Sequence, residues 1–335
     1  MKFVKAVIVP IITSVSLLAM SSIASAETFK MALGDAAGGT QWELGKTFQE
    51  LLNEKTGGKA TVDLFPNGQL GNEQDTVNNA SMGILDFSVL AINNVTPFSP
   101  SVGLLTMPYV ILSPEDAKTL TQGKIGQELV QNTIDDAGVR IIGWAYSGFR
   151  VLTNSKRPVK SLADLKGLVI RVPRNEIMMS TYQAWGVNPT PMAWSETFTG
   201  LQLGVVDGQD NPYITIDAMK FNEVQKYVTN LRYIFSIEPL IISESVFQSQ
   251  KPAMQAIILE AGKEATEHSY SFLLESEDKI KKSLVAKGMV ISDPSNGEKE
   301  WIDLATKTVW PKFYDSIGGK DKLDGALATL GRAAN

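Results

Sequence analysis

The chain has 335 residues, 44% apolar and 20% charged, a globular balance with room for two domains of about 100–200 residues each. A formal net charge of −5 argues against nucleic acid as a partner, since phosphate binding needs a clustered basic surface. The chain has no cysteine, which excludes disulfides, thiol nucleophiles and thiolate metal sites, and one histidine, His268, for any imidazole chemistry.

Lys2 and Lys5 precede an apolar run from Ala6 to Met20, and Ala24-Ser25-Ala26 supplies the small residues of a cleavage site. This is the pattern of a secretory signal peptide, cut after Ala26. The run is short for a membrane span and Pro10 interrupts it. The mature chain is therefore expected in the periplasm.

Beyond it, strand and helix patterns alternate. Thr28–Leu33 reads as a strand, and a helix from Thr40 carries Trp42, Leu44, Phe48, Leu51 and Leu52 until Gly57-Gly58 stops it. Ala60–Phe65 is the next strand, then a polar helix over Asn72–Met82 and an apolar strand over Ile84–Ile92. Val139–Tyr146, Arg150–Thr153 and Leu168–Val172 are further strands, followed by a helix over Ile177–Trp185. Pro252–Gly288 reads as one helix of about 35 residues, about 50 Å long at 1.5 Å per residue, which must cross both domains. No internal repeat stands out. The alternation predicts an α/β architecture with mainly parallel sheets.

Catalytic signals are few. Gly34-Asp35-Ala36-Ala37-Gly38-Gly39 opens a helix without the spacing of a dinucleotide fingerprint. Asp135-Asp136 and Asp207/Asp210 lack further ligands for a metal, and His268 reads as a solvated helix residue. No cofactor and no metal are expected.

The informative side chains are arginines. The seven are Arg140, Arg150, Arg157, Arg171, Arg174, Arg232 and Arg332, and two sit in apolar surroundings. Arg171 lies in Leu168-Val169-Ile170-Arg171-Val172-Pro173 and shares a strand face with Val169. Arg150 follows a run from Ile141 to Phe149. A buried guanidinium needs a hydrogen-bonded anion, and its fork fits a carboxylate. That anion is either a ligand or a distant Asp or Glu of the chain. The turn-rich stretch Gly204–Tyr213 and the segment Pro189–Glu196, with Ser195 as a helix cap, add polar groups. Trp194, Trp42 and Tyr213 are candidate pocket walls.

Three stretches, Leu165–Pro173, Pro189–Glu196 and Val206–Pro212, together with Phe65–Gly71, Met107-Pro108-Tyr109 and Phe221–Tyr227, make the chain resemble the C4-dicarboxylate-binding (DctP) type of substrate-binding protein of tripartite ATP-independent periplasmic (TRAP) transporters. The resemblance implies a two-domain periplasmic binding protein fold with an interdomain ligand cleft and a long domain-spanning helix. One domain is expected over 27–148 plus about 237–276, the other over 149–236 plus about 277–335. It further implies that Arg171 clamps a ligand carboxylate, Asn211 orients it, Arg150 assists, Trp194 lies over the ligand and Glu73 faces its far end. Gln41, Trp42, Asn93 and Asn94 are expected to set ligand choice. Sialic-acid-binding members carry an acid and a base where this chain has Ala91-Ile92-Asn93-Asn94, so a smaller acid is expected. The partners implied are a small organic acid and the TRAP membrane subunits, with the receptor a monomer. A sulfonate ligand, a sensor module docking a membrane kinase, and a secreted enzyme are the competing readings; the enzyme is disfavoured by the lone His and the absence of an acid–base pair.

Overall fold

The structure is a computed structural model that describes residues 26–333; the expected signal peptide lies outside them apart from Ala26. Two sheets carry the architecture. The first orders its strands β2 (Ala60–Phe65), β1 (Glu27–Leu33), β3 (Phe87–Val89), β10 (Phe235–Ser243) and β4 (Val139–Phe149). β1 runs parallel to β2 and β3, whereas β10 is antiparallel to both β3 and β4. The second sheet orders β11 (Val290–Ser292), β9 (Tyr227–Thr229), β5 (Val151–Asn154) and β8 (Gly208–Asn211), with only the β9–β11 pair parallel. The sheets are thus mixed rather than mainly parallel. The reason is that chain crossings between the two units, not local βαβ turns, bring β10 and β5 into place.

Strand lengths also differ from the sequence pattern. The apolar run Ile84–Ile92 is a strand only over Phe87–Val89, because Ile92–Asn94 turns into a single 3₁₀ turn. Leu168–Val172 pairs regularly only at β6 (Arg171–Val172), beside β7 (Thr190–Pro191). Conversely, β4 runs on through Gly148 to Phe149, and a single residue, Arg150, separates it from β5. Arg150 therefore stands at the step where the chain leaves one sheet for the other.

The long helix spans Pro252–Ala286, 35 residues. Its first half buries Ile258, Ala261 and Ala265 against Phe48, Leu52 and Ile142 of the first unit. Its end buries Leu284 against Val151, Phe221 and Val228 of the second. Gly262 is required where the helix crosses β4: a Cβ there would lie 2.2 Å from the Ile142 carbonyl oxygen. The C-terminal segment from Val309 packs its Trp310, Phe313, Ile317, Leu323 and Leu327 with Leu105, Leu120 and Leu129 of the first unit. Trp310 Nε1 donates to the Pro108 carbonyl (2.9 Å), and Arg332 pairs with Asp116 (2.8 Å). This segment was expected with the second unit, but its apolar face is covered by the first.

The two units share a device that places the site. α2 (Glu73–Ser81) is followed by Met82-Gly83-Ile84-Leu85-Asp86, and α6 (Trp194–Gln202) by Leu203-Gly204-Val205-Val206-Asp207. Each glycine has positive φ, 72° and 70°. Each aspartate accepts from a backbone N–H of the neighbouring segment, Asp86 from Lys30 (2.8 Å) and Asp207 from Val169 (2.9 Å). Each then leads into a strand. Glu73 and Trp194, the first residues of the two helices, face each other across the gap between the units. No described helix is long and apolar enough to cross a membrane.

Candidate functional site

A cavity of about 290 Å³ lies between the units, lined by residues of both, among them Asp35, Gln41, Glu73, Asn93, Asn94, Arg150, Arg171, Trp194, Asn211, Thr215 and Glu238. A larger open groove of about 740 Å³ runs past Thr96, Pro97, Arg174, Ile177 and Phe313. Its charged residues, Arg174 and Glu176, are solvent-exposed, so it lacks the desolvated ionisable groups that mark the smaller cavity.

The two buried arginines do different things. Arg150 Nε donates to Asp210 Oδ2 (2.8 Å) and Nη2 to the Asp210 carbonyl (2.5 Å). Burial is the largest single influence and works against its charge, but the Asp210 carboxylate and its hydrogen bond, together with Tyr233 and Tyr182, outweigh it and hold Arg150 more firmly protonated than a free guanidinium. Asp210 also accepts from the Tyr233 hydroxyl (2.5 Å). Arg150 thus has its anion within the chain, sixty residues away and invisible to local pattern. Arg171 has none among the described residues. Its Nε and Nη2 both donate to the Met192 carbonyl (3.1 and 2.8 Å), and its guanidinium lies 5.6 Å from the Trp194 ring centre. Burial first, and then the positive charge of Arg150, push it down to about 10. β6 explains its direction: Leu168, Ile170 and Val172 fill the core, Val169 faces solvent, and Arg171, on the Val169 side, turns into the cavity.

Opposite, Glu73 is buried and fully engaged. It accepts from Gln41 Nε2 (3.1 Å), from the Ala91 N–H (3.0 Å) and from Asn94 Nδ2. Burial raises its pKa, with the Ala91 and Gln41 bonds and then the charges of Arg171 and Arg150 pulling the other way. Gln41 is a strut: its Oε1 accepts from the N–H groups of Gly34 (2.6 Å) and Asp35 (3.1 Å). Asn211 Nδ2 donates to Gln209 Oε1 (2.5 Å), and the Asn93 carbonyl accepts from Asn175 Nδ2 (3.0 Å) across the units.

Eight of the ten residues expected from the sequence line this cavity. Trp42 does not, because its ring packs at the edge of the Phe29–Leu44–Phe48 cluster. Tyr213 does not either: it is buried with Val151, Leu201 and Phe221, its hydroxyl 3.5 Å from Asn230 Oδ1. Ser195 is not the helix cap, since α6 begins at Trp194 and the Glu196 carboxylate accepts from the Ala193 N–H (3.3 Å). The sequence reading missed Asp35, Thr215, Glu238 and the Asp210 partner. Glu238 left the signal that gave away Arg171, one ionisable residue in the otherwise uncharged strand Phe235–Ser243. Burial, then the charges of Glu238 and Glu73, raise Asp35 well above the usual carboxylate range; burial, with Glu73 adding, takes Glu238 to about 7. Among the described residues no cluster of His, Asp and Glu is arranged to hold a metal ion.

The cleft is shut. Trp194 Nε1 donates to the Gly34 carbonyl (3.2 Å) and Gln74 Nε2 to the Arg174 carbonyl (3.1 Å), both bonds running from one unit to the other.

Three comparisons bear on this geometry. A solute-binding protein of Roseobacter denitrificans is 38% identical over 280 residues, 83% of this chain and 85% of that protein. Its structure with bound L-galactonate, 32% identical in the superposition, covers 89% of this chain and 99% of that chain with a TM-score of 0.82. The 2,3-diketo-L-gulonate-binding periplasmic protein of Escherichia coli is 31% identical over 249 residues, 74% of this chain and 76% of that protein. A TRAP periplasmic solute-binding protein of Rhodobacter sphaeroides, apo, open and partially disordered, is 37% identical and covers 91% of this chain and 99% of that chain, yet its TM-score is 0.74. The less identical, ligand-holding structure superposes better, in line with the interdomain bonds. The family described as bacterial extracellular solute-binding protein, family 7, matches residues 35–317. With its paired α/β units, long crossing helix and closed interdomain cavity, the chain belongs to this DctP family of TRAP-transporter solute-binding proteins.

Proposed function

We propose that this protein is the periplasmic receptor for a sugar acid, a small polyhydroxy monocarboxylate, which it delivers as a monomer to TRAP membrane subunits after its signal peptide is cut behind Ala26. The observation that carries the ligand class is Arg171, a guanidinium buried without a carboxylate partner in a closed cavity. A buried charge of that kind is costly until an anion meets it. A ligand carboxylate supplies the anion and accepts a bidentate pair from the fork. Trp194 and Asn211 complete the carboxylate end. L-Galactonate and 2,3-diketo-L-gulonate, the ligands of the relatives above, are both six-carbon sugar acids, which supports the same class here. The domain division that fits is 27–148 with about 237–276 as one wall and 149–236 with 277 to about 308 as the other, the C-terminal segment returning to the first.

A ligand that bridges both walls binds the closed form better than the open one, and only that difference shifts the population. The test is a thermal-shift screen of the mature protein against sugar acids, keto acids, dicarboxylates and alkyl sulfonates, since specific binding raises the melting temperature by mass action. Sugar acids are expected to give the largest shifts, and Arg171→Lys should abolish them. A best response to sulfonates or dicarboxylates, or a full response in Arg171→Lys, defeats the proposal.

A further inference from the structure

Four buried side-chain atoms that line the cavity have no hydrogen-bond partner: Asp35 Oδ2, Glu238 Oε2, Asn93 Nδ2 and Thr215 Oγ1. Buried polar atoms are nearly always paired, so a group of orphans in one cavity describes what is missing from it. Two of the four, the carboxylate oxygens, can only accept while ionised. Glu73, the acid expected to meet the ligand, has its oxygens occupied by Gln41, Ala91 and Asn94. The acids that keep an unpaired oxygen are therefore Asp35, beside the Trp194 ring, and Glu238, beside the Ser147 and Ser236 hydroxyls.

The cavity is also sorted by charge. The charges acting on Asp35 are Glu238, Glu73 and Arg150; those acting on Arg171 are Arg150, Asp210 and Glu73. Arg150 is committed to Asp210. Arg171, the cation available to a ligand, also lines the adjoining space beside Met192 and Trp194 together with Glu73, whereas Asp35 and Glu238 line the main cavity alone.

Resting on the sugar-acid reading, we propose that Asp35 and Glu238 determine ligand choice: they accept hydrogen bonds from hydroxyl groups of the ligand's carbon chain and exclude a ligand with a second carboxylate. Attraction and repulsion act together here. A terminal hydroxyl donates to the ionised oxygen of the pair, whereas a terminal carboxylate adds a third acid to a desolvated site in which the charge of Glu238 already disfavours that of Asp35, and like charges juxtaposed this way are strongly disfavoured.

The experiment compares matched ligands by titration calorimetry at pH 7.5: L-galactonate with galactarate, and D-erythronate with meso-tartrate. The members of each pair differ by oxidation of the terminal carbinol to a carboxylate. The wild type should prefer the monocarboxylate by 100-fold or more in at least one pair. Glu238→Gln and Asp35→Asn, measured separately, should each narrow that ratio tenfold or more, while Arg171→Ala weakens every ligand that binds. Equal binding of both members by the wild type overturns the inference and leaves the sugar-acid reading standing. Ratios unchanged in both variants also overturn it. Tighter binding of 6-aminohexanoate than of either monocarboxylate shows that the pair receives an ammonium instead. If no sugar acid binds the wild type, it is the underlying reading that has failed.

Discussion

Replacing Arg171 by methionine should stabilise the ligand-free protein while abolishing its function. Arg171 is held at about 10, against 12.5 for an unburied guanidinium, chiefly by burial and then by Arg150. At 1.36 kcal/mol for each tenfold change in proton affinity, that gap is about 3 kcal/mol. The sign follows from the direction. The fold disfavours the charged form, and at pH 7 folded and unfolded chains both carry the charge, so the whole cost opposes folding throughout the neutral range. Methionine keeps most of the stem volume. It gives up the bonds to the Met192 carbonyl, a loss of about 1–2 kcal/mol. The net expectation is a gain of about 1–2 kcal/mol. Arg150→Met is the control of opposite sign. It strands the Asp210 carboxylate without its cation, and breaking a buried pair costs about 3–5 kcal/mol. Urea denaturation of the two variants without ligand reads both effects from the midpoints at unchanged slope. If Arg171→Met loses as much stability as Arg150→Met, Arg171 is a structural cation and the reasoning from its missing partner is refuted.

Trp194→Phe should remove most of any ligand-induced change in intrinsic fluorescence, because Trp194 is the tryptophan in the cavity wall; a full response from the variant moves the signal to another of the six. Glu238 is held near 7 against 4.5 by burial and by Glu73, with Asp35 and Arg150 facing it as well. Its protonated form is favoured in the fold, so its contribution is complete below about pH 4.5 and lost as pH rises through 7, up to about 3 kcal/mol. Glu238→Gln should accordingly gain on the wild type between pH 5 and 8, and a difference that does not change with pH contradicts the assignment. Gly262→Ala should lower the urea midpoint by the equivalent of about 1–3 kcal/mol, since its Cβ meets the Ile142 carbonyl and the long helix must lift from β4. Gly325→Ala, in a helix with open space around the new methyl, should instead be neutral or gain up to about 1 kcal/mol.

What the sequence disclosed depended on how local the cause was. The long helix was readable because nothing in Pro252–Ala286 breaks the 3.6-residue pattern, and its ends fell where expected. α1 (Thr40–Lys55) was readable from its glycine stop and α2 as the polar stretch Asn72–Met82, while the role of Asn72 as its cap is seen only in the structure. Arg171 stood out because one charge in a strand-like apolar run has no local excuse. The same test applied to Glu238 would have found it, but Pro239 beside it disguised the strand. Arg150 was half-legible: its burial followed from sequence, while Asp210 became its partner only through the β5–β8 pairing. Trp42 and Tyr213 misled because an aromatic near a motif reads alike whether it faces a cavity or a core. The sheet directions could not be seen, since they follow from three chain crossings that leave no periodicity. The repeated helix–glycine–aspartate device escaped because only a helix threonine (Thr76 and Thr197), the glycine and the aspartate are shared between its copies, and its likeness lies in the bonds Asp86 and Asp207 accept.

The central claim is that a carboxylate held by Arg171 closes the two units around it. Small-angle X-ray scattering of the mature protein, with and without a saturating sugar acid identified by the thermal-shift screen, tests it directly. The radius of gyration should fall on ligand addition in the wild type, and the scattering of Arg171→Ala should not change at the same ligand concentration. A scattering curve that stays the same in the wild type with ligand bound, or that shifts equally in Arg171→Ala, contradicts it.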